Sequence, residues 1–313
     1  MVLSHPSGSA GDPLSEVLAA LGARSARHTR LEAAGDWALS FPARARLKFV
    51  AQLRGACWIR VEGQPPLALA EGDTFLLGDI AYSVASHPEL TPAEGAPLYA
   101  NGQSVARLGG AESVAIGGGI AFAAGAAGFL LEALPRFLHL PRQDPAAASV
   151  THILRLLEAE AAQEEARPGG ALVRDRLAEI LLVEAIRAHI AGLGEALPGW
   201  VGALRDRRIA AALRLLHGDL AHPWTVGELA ARTGMSRSAF AALFTRKVGR
   251  PPLDYLAQWR MLLARRLLDQ GGLPVSEIAA RVGYASPSAF GHAFSRRLGH
   301  TPRRGALPAE AAR

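Results

Sequence analysis

The chain has 313 residues, of which half are apolar and a fifth charged, a composition typical of a soluble globular protein with room for two domains. Residues 199–313 carry 18 Lys+Arg and 7 Asp+Glu, a net charge of +11, whereas residues 1–198 carry a net −5. A polyanionic partner is therefore favoured for the C-terminal part alone, and the single cysteine, Cys57, excludes an internal disulfide and a multi-cysteine metal site.

The N-terminal half is predicted to form a short helix followed by strands. Asp12-Pro13 begins an amphipathic helix that extends to Leu21. Strand-like runs bounded by Gly, Pro and Asp follow at 37–41, 48–53, 57–61, 67–69 and 74–77. Strands of this length and spacing predict a small antiparallel barrel or a double-sheet roll.

The next part of the chain is rich in Gly and Pro. Residues 88–105 predict a loop, and residues 113–122 predict one or two further strands. The uncharged stretch 114–131 approaches the length of a membrane span, but its many Gly and Ala residues offer little burial energy. A Gly-rich turn at 117–119 between a strand and a short helix is the favoured interpretation. No signal peptide is expected, and the expected location is the cytoplasm.

From residue 129 onwards the pattern predicts helices only. Apolar residues at three- and four-residue spacing indicate helices at 150–163 and 172–191. The boundary between domains is predicted within 192–199. The first domain is thus expected to span residues 13–198, with strands over about 30–125 and helices over about 129–191, and the second to span residues 199–313.

The most informative feature is a helix-turn-helix pattern that occurs twice, over 228–249 and 277–299. Glu, an apolar residue, Ala-Ala-Arg, Gly, Ser-Ala-Phe and a second Phe recur in step, with an offset of 49 residues before the turn and 50 after it. Thr225 and Glu228 predict a capping box at the first scaffold helix, and Gly234 suits the sharp turn. A duplicated unit that reads DNA is the interpretation.

The second helix of each motif is expected to present its outward face to DNA. Arg237 and His292 are candidates for base edges, and the serines for bases or phosphates. Residues late in each helix, including Arg297, favour phosphates, and Gly291 indicates weak base discrimination by the second helix. For any single residue, a solvated helix face is the alternative. The candidate DNA-binding residues are Ser236, Arg237, Ser238, Ala241, Ala242, Thr245, Arg246, Ser286, Ser288, His292, Ser295 and Arg296.

Between the two motifs, residues 251–268 predict a helix that begins at prolines and ends before Gly271-Gly272. At about 1.5 Å per residue this helix is a rod of roughly 25 Å. Such a rod could hold two recognition helices about one duplex turn apart, so that one chain reads two successive major grooves.

These motifs carry a family resemblance. Together with Pro252-x-x-Tyr-Leu-x-x-Trp-Arg-Met-x-x-Ala-Arg-x-Leu-Leu268 and Gly299-His-Thr-Pro302, they resemble the AraC/XylS-type transcription regulators. The resemblance covers residues 205–304 and implies a sequence-specific DNA-binding domain with seven helices. Residues 55–61, 66–73, 109–113 and 131–135 are similar to the cupin-like sensor domain of one branch of that family, which implies a β-barrel that binds an effector or pairs subunits.

The resulting fold class is α+β, with a cupin-like N-terminal domain, flanking helices and an all-α C-terminal domain. Metal-dependent cupins need a His-x-His pair, a Glu and a later His, but only His28 and His87 occur within 13–135, and Lys48 stands where similar sensor domains carry His. No cofactor, metal or catalytic residue is therefore expected.

The favoured function is a regulator that binds duplex DNA under the control of a small-molecule effector. The alternatives are a regulator whose N-terminal domain only dimerises or binds another protein, and a cupin enzyme fused to a DNA-binding module. A second copy of the chain and RNA polymerase are the further partners considered.

Overall fold

The structure, a computed structural model, describes residues 12–44, 46–122, 127–161, 168–192 and 199–302. The described residues form two compact units. Residues 23–192 form the first unit, which contains all the strands described below. The second unit is helical and combines residues 12–22 with residues 199–302.

The strands of the first unit lie in two sheets. The strands are β1 (Arg24–Ala33), β2 (Ala38–Phe41), β3 (Leu47–Arg54), β4 (Cys57–Val61), β5 (Leu67–Leu69), β6 (Thr74–Leu77), β7 (Tyr82–Ala85), β8 (Ala93–Glu94), β9 (Val105–Leu108), β10 (Ser113–Ala121) and β11 (Phe137–Leu140). One sheet has the order β11-β6-β3-β10-β1-β9 and the other the order β5-β4-β7-β2-β8. Most neighbouring strands are antiparallel, while β1 with β9 and β2 with β8 are parallel pairs.

The core of this unit lies between the two sheets. Leu31 and Phe75 of the six-stranded sheet belong to the same buried cluster as Leu39 and Ile59 of the five-stranded sheet. Three helices follow the strands or lie between them: α2 (Ala127–Leu131), α3 (Ala148–Ala161) and α4 (Gly170–Gly192). Helices α3 and α4 pack on each other, and α4 also packs on β1.

The five strand-like runs read from the sequence are confirmed as β2 to β6, and the two helices as α3 and α4. Within the described residues the strands form the two sheets of a roll instead of a closed barrel. The expectation of helices alone after residue 129 is wrong, because Phe137–Leu140 pairs with β6. The expected loop over 88–105 contains the two-residue strand β8.

The Gly-rich turn is also wrong, because Gly117–Gly119 lies inside β10, paired on both sides with β1 and β3. The aromatic ring of Phe49 on β3 occupies the space that a Cβ of Gly118 would need. Glycine is therefore required here by the close approach of a neighbouring ring, and the local pattern contained no sign of that contact.

The second unit contains eight described helices. They are α1 (Pro13–Leu21), α5 (Trp200–Ala203), α6 (Arg207–Gly218), α7 (Val226–Arg232), α8 (Arg237–Val248), α9 (Pro252–Gln270), α10 (Val275–Arg281) and α11 (Pro287–Leu298). The family resemblance implied seven helices for residues 205–304; α6 to α11 lie within that range, and α5 directly precedes it.

The N-terminal helix α1 packs on α6 and α9 of the helical unit. The Asp12 side chain caps it by accepting a hydrogen bond of 3.1 Å from the Ser15 amide, and its buried face includes Leu14, Val17 and Leu21. The sequence interpretation assigned this helix to the first domain, whereas the contacts of α1 in the structure are with helices of the second unit. The predicted boundary at 198/199 adjoins residues 193–198, which lie outside the described residues.

A buried histidine forms the centre of this helix packing. The Nε2 atom of His217 lies 2.8 Å from the Tyr255 hydroxyl, and the imidazole stacks on Trp259 with 4.3 Å between ring centroids. A carboxylate oxygen of Glu16 on α1 approaches His217 Nδ1 to 3.2 Å. Burial lowers the pKa of His217, while Glu16 acts in the opposite direction.

Among the described residues, no helix is both long enough and apolar enough to cross a bilayer.

Candidate functional site

The first helix-turn-helix motif consists of α7, a sharp turn and α8. The Thr225 hydroxyl accepts a hydrogen bond of 3.1 Å from the Glu228 amide at the start of α7, as the capping pattern predicts. Gly234 has a φ of +68° and lies in the turn. The Ser236 hydroxyl then accepts a hydrogen bond of 3.3 Å from the Ala239 amide and caps α8. Local sequence thus determines where both helices begin.

The second motif, α10 and α11, has the same plan with a different scaffold cap. Pro274 takes the N-cap position of α10 without a side-chain hydrogen bond, and its carbonyl accepts from the Ile278 amide at 3.1 Å. Gly283 in the turn has a φ of +77°. The Ser286 hydroxyl caps α11 by accepting from the Ala289 amide at 3.1 Å, with proline at the first helical position.

Each recognition helix is fixed to its unit by a pair of phenylalanines one turn apart. Phe240 and Phe244 are fully buried with ring centroids 5.6 Å apart, and Phe290 and Phe294 repeat the arrangement at 5.5 Å. Because these rings sit on one face of each helix, the opposite face is presented to solvent.

The exposed face of each helix contains most of the predicted DNA-binding residues. Exposed on these two helices are Arg237, Ser238, Ala242, Thr245, Arg246, Ser288, His292 and Arg296, whereas Ala241 and Ser295 are half-buried. Ser236 and Ser286 have their hydroxyls engaged as helix caps. The sequence reasoning left out Ala239 and Ala289, which are exposed in the first turn of their helices. Helical periodicity from each serine cap could have identified both.

Arg297 differs from the other basic residues of α11. Its guanidinium forms an ion pair with Asp254 at the start of α9. A phosphate contact by Arg297, as expected from the sequence, would therefore compete with the ion pair that attaches α11 to α9. Arg296, on the same helix, is exposed and has no such contact among the ion pairs of the described residues.

The electrostatics of both recognition helices favour a polyanion. Neither α8 nor α11 contains an acidic residue, and each has two basic residues in its last turn. Their N-termini carry the positive end of the helix dipole, where serine caps leave amide groups available to an acceptor. Phosphate oxygens and base acceptors are the groups that such helices attract.

The helix α9 joins the two motifs as a rod. Its 19 residues correspond to about 28 Å at a rise of about 1.5 Å per residue. Arg260 in its middle donates hydrogen bonds to the carbonyl oxygens of Leu220 at 2.6 Å and His222 at 3.0 Å, before the first motif. The same guanidinium lies 5.9 Å from the ring of Tyr284, just after the turn of the second motif. Arg260 thus connects the linker helix to the segment before the first motif and to the second motif.

The strand-rich unit contains a cavity of about 130 Å³ between its two sheets. Lys48 on β3 lies in its wall, donates a hydrogen bond to the Tyr82 hydroxyl, and places Nζ 4.5 Å from the centroid of the Phe41 ring. Burial, with a smaller contribution from Arg46 and Arg44, lowers the pKa of Lys48 to about 7.

A narrower cavity of about 40 Å³ continues from the first and shares Lys48, Phe41 and Tyr82 with it. Its remaining wall is mostly apolar and includes Leu31, Trp37, Val50, Phe75, Val84 and Ile116. No effector-binding residue was identified from the sequence. The available signal was Lys48, a charged residue next to the apolar residues Leu47, Phe49 and Val50 of β3.

The other polar groups considered from the sequence serve structural roles. The thiol of Cys57 is buried, donates to Gln52 Oε1 at 3.3 Å, and has a pKa raised by burial to about 12. His28 lies 3.3 Å from Asp175 of α4. Over the part of the chain that is described, no three His, Cys, Asp or Glu residues are grouped so as to hold a metal ion.

Comparison with known proteins gives two family matches. Residues 12–191 match a family described as Cupin, and residues 229–305 match a family described as Helix-turn-helix domain. A putative AraC-like transcription regulator of Streptomyces antibioticus is 40% identical over 295 residues, covering 93% of this chain and 97% of that protein. A protein of the same description from Streptomyces lividans is 40% identical over 296 residues, covering 93% of this chain and 96% of that protein.

Among solved structures, the DNA-binding domain of AdpA in complex with a target DNA is 37% identical, with a TM-score of 0.29, and covers 31% of this chain and 86% of that one. The family matches and the full-length relatives agree with the motifs and with the two units of the fold. The chain belongs to the AraC family of DNA-binding transcription regulators, with a cupin-type N-terminal domain.

Proposed function

We propose that α8 and α11 enter two successive major grooves of duplex DNA and that a small molecule bound in the cavity of the strand-rich unit controls this binding. The role of the protein is regulatory, without catalysis. The observation that carries the proposal is the pair of serine-capped helices α8 and α11, which contain no acidic residue. Each packs into its motif through two buried phenylalanines, and the helix α9 joins the two motifs.

Base contacts are proposed for the first two turns of the two helices and phosphate contacts for the last turns. Arg237 and Ser238 on α8, with Ser288 and His292 on α11, are proposed to contact base edges, and Ala241 or Ala242 a thymine methyl. The phosphate contacts are assigned to Thr245, Arg246, Ser295 and Arg296. The hydroxyls of Ser236 and Ser286 act as caps, and their contribution to DNA binding is to position the first-turn amides.

The DNA-binding proposal is tested by fluorescence anisotropy with a duplex selected from random sequence. If six to ten phosphates are neutralised, the affinity should fall by roughly 10³–10⁵ between about 50 and 200 mM salt. A response to salt that is nearly flat would contradict the assignment of the basic residues to phosphates.

Arg237→Ala separates base reading from backbone contact. Loss of a base contact should weaken binding to the selected site by about 1–3 kcal/mol and relax the preference at one base position. Arg246→Ala should weaken all sequences about equally. Arg232→Ala is the matched control, because Arg232 lies on the scaffold helix α7 and is 3.4 Å from Glu228. A uniform loss for Arg237→Ala would reassign that residue to a phosphate.

Control by an effector is proposed because the cavity lies between the two sheets and its wall combines polar and apolar side chains. This favours an effector over a domain that only dimerises or binds another protein. The test is a ligand screen by thermal shift of the full chain, in which a bound molecule at 100 times its dissociation constant adds about 2.7 kcal/mol of stability. A screen in which no compound stabilises the protein would favour the alternative.

A homodimer is proposed on a separate observation. Large apolar side chains are exposed on the α3–α4 pair, namely Leu156 (56%), Leu172 (60%), Val173 (43%) and Ile180 (48%). A second copy of the chain would bury them. Analytical ultracentrifugation of wild type and of Leu172→Glu should show a dimer and its loss. RNA polymerase is a further proposed partner, tested by transcription in vitro from a promoter next to the selected site.

A further inference from the structure

The cavity between the two sheets has an uneven distribution of charge. Arg44, Arg46 and Lys48 contribute to its lining, whereas its described lining contains no aspartate or glutamate. Lys48 also forms no ion pair with a carboxylate among the described residues. A buried amine without a carboxylate beside it is suited to a ligand that brings its own negative charge.

The rest of the cavity suits an apolar body. The Phe41 and Tyr82 rings stack with their centroids 5.1 Å apart, and Tyr99 lies 6.5 Å from Phe41. Lys48 Nζ is also 4.9 Å from the Tyr82 centroid, so the amine sits among ring faces. Beyond Lys48 the inner cavity is lined by apolar side chains such as Val50 and Phe75. Such walls favour an aromatic or aliphatic group over a multiply charged one.

The volume limits the size of the ligand. An apolar cavity of about 150 Å³ holds one benzene ring. The outer cavity here measures about 130 Å³ and the inner one about 40 Å³. A molecule with one ring or a short chain and one carboxylate fills this space, whereas inorganic phosphate would leave the apolar walls without a partner.

We infer that the cavity binds a small monocarboxylic acid, whose carboxylate pairs with Lys48 near Arg44 and Arg46 and whose apolar body contacts Phe41 and Tyr82. The inference names the chemical class of the effector. Its regulatory part, in which the bound acid changes DNA binding, rests on the proposed function. The occupancy of the cavity itself is independent of DNA binding.

Protonation of Lys48 adds a second signature. Its pKa is lowered to about 7 in the empty cavity, where Arg44, Arg46 and the phenols of Tyr82 and Tyr99 are the titratable groups that face the amine. A bound carboxylate favours the ammonium form and raises this pKa. Above pH 7 the binding of the acid should therefore take up a proton, and affinity should fall by up to about tenfold per pH unit.

The experiment is titration calorimetry of the full chain with benzoate and hexanoate, compared with benzyl alcohol, benzylamine and inorganic phosphate. At pH 7 a carboxylate should bind at least about tenfold more tightly than benzyl alcohol, since charge-assisted hydrogen bonds are stronger than neutral ones. Repeating the titration at pH 8 in buffers of different ionisation enthalpy should show proton uptake.

Lys48→Met should remove both the preference for the carboxylate and the proton uptake. Lys247→Met is the control for acid binding alone, because Lys247 is the other lysine of the sequence and lies on α8, outside the strand-rich unit. If Lys48→Met does not fold, Arg44→Gln is the second variant, because Arg44 is exposed and its side chain is not part of the core. This substitution should weaken the binding of benzoate several-fold, because Arg44 lines the cavity. The proton measurement requires no variant.

The inference is overturned if no carboxylate binds in the millimolar range, if carboxylates bind no better than benzyl alcohol, or if binding takes up no proton at pH 8. A covalent adduct on Lys48, detected by mass spectrometry after borohydride reduction in the presence of benzaldehyde but without any carboxylate binding, would also overturn it in favour of carbonyl capture. DNA binding is measured on the same preparations without acid. If the protein binds DNA but no carboxylic acid, this inference is refuted and the proposed DNA-binding function is not.

Discussion

Replacing Gly283 by alanine tests how firmly the turn of the second motif is fixed against its surroundings. Its φ is +77°, and a Cβ at this position would collide with the backbone carbonyl oxygen of Leu220 and lie 2.6 Å from Arg260 Nη2. The Arg260 nitrogen has little freedom to move, because it donates to the carbonyls of both Leu220 and His222. The substitution therefore adds backbone strain and a collision.

Gly234 in the first motif provides the matched control. Its φ is +68°, but no heavy atom lies within 4 Å of the position that a Cβ would take. Gly234→Ala should thus cost only the strain of a left-handed residue, about 1–2 kcal/mol. Gly283→Ala should cost the same strain plus about 1–3 kcal/mol for overpacking, or roughly 2–5 kcal/mol in all.

The assay is differential scanning calorimetry of the full chain. The transition of the helical unit is identified as the one that shifts in Phe290→Ala, because Phe290 is fully buried in that unit. Each kcal/mol should lower Tm by roughly 4–8 °C for a unit of about 100 residues. Equal shifts for the two glycine variants would refute the collision at Gly283 and leave strain as the whole effect.

Three further predictions concern buried groups. Phe240→Ala and Phe290→Ala should each lower the free energy of unfolding of the helical unit by about 3–5 kcal/mol in urea titrations; losses below 1 kcal/mol would contradict the anchoring role of these rings. Cys57 should resist iodoacetamide at pH 8 in the native protein and react in urea, because its pKa is raised to about 12 and its side chain is buried; rapid native alkylation would contradict this. The pKa of His217 is lowered below 6.5 by burial, and the titratable groups that face it are Glu16, Asp12 and Tyr255. As the pH falls, this histidine is therefore protonated in the unfolded state before it is protonated in the folded state. Stability of the helical unit should therefore be full above pH 6.5 and fall as the pH drops below that value, and His217→Gln should reduce this slope in urea titrations at several pH values.

The helix-turn-helix motifs could be predicted in detail because their determinants are local. Serine caps, turn glycines and phenylalanines one turn apart act within about twenty residues of chain, so the sequence contains them in order. The same holds for strands β3 and β4, whose apolar residues alternate. Strand β1 lacked this signal, since charged residues alternate with others in its C-terminal part. Arg30 is 2.7 Å from Glu32, which also contacts Arg107 of the neighbouring strand at 3.1 Å. Charges paired across strands are invisible to a search for apolar periodicity.

The placement of α1 shows a different limit. Its amphipathic pattern correctly predicts that Leu14, Val17 and Leu21 are buried on one face. The pattern contains no information on which surface covers that face, and proximity in the sequence favoured the first domain. The structure instead covers it with α6 and α9, from more than 180 residues further along the chain. Burial is thus readable from a helix alone, whereas the identity of its partner depends on contacts that only the folded chain supplies.

The cavity is the least predictable feature, because it is formed by side chains of strands that are far apart in sequence. On β3 the buried Leu47 and Phe49 are directed to one face of the sheet, and Lys48 with Val50 to the face that lines the cavities. An isolated strand with this pattern would be read as having one solvated face, where a lysine is ordinary. The second sheet changes that reading, because it covers the face and leaves the lysine among the rings of Phe41 and Tyr82. Burying a charge in that position destabilises the empty protein, and the carboxylate of the proposed ligand would compensate this cost.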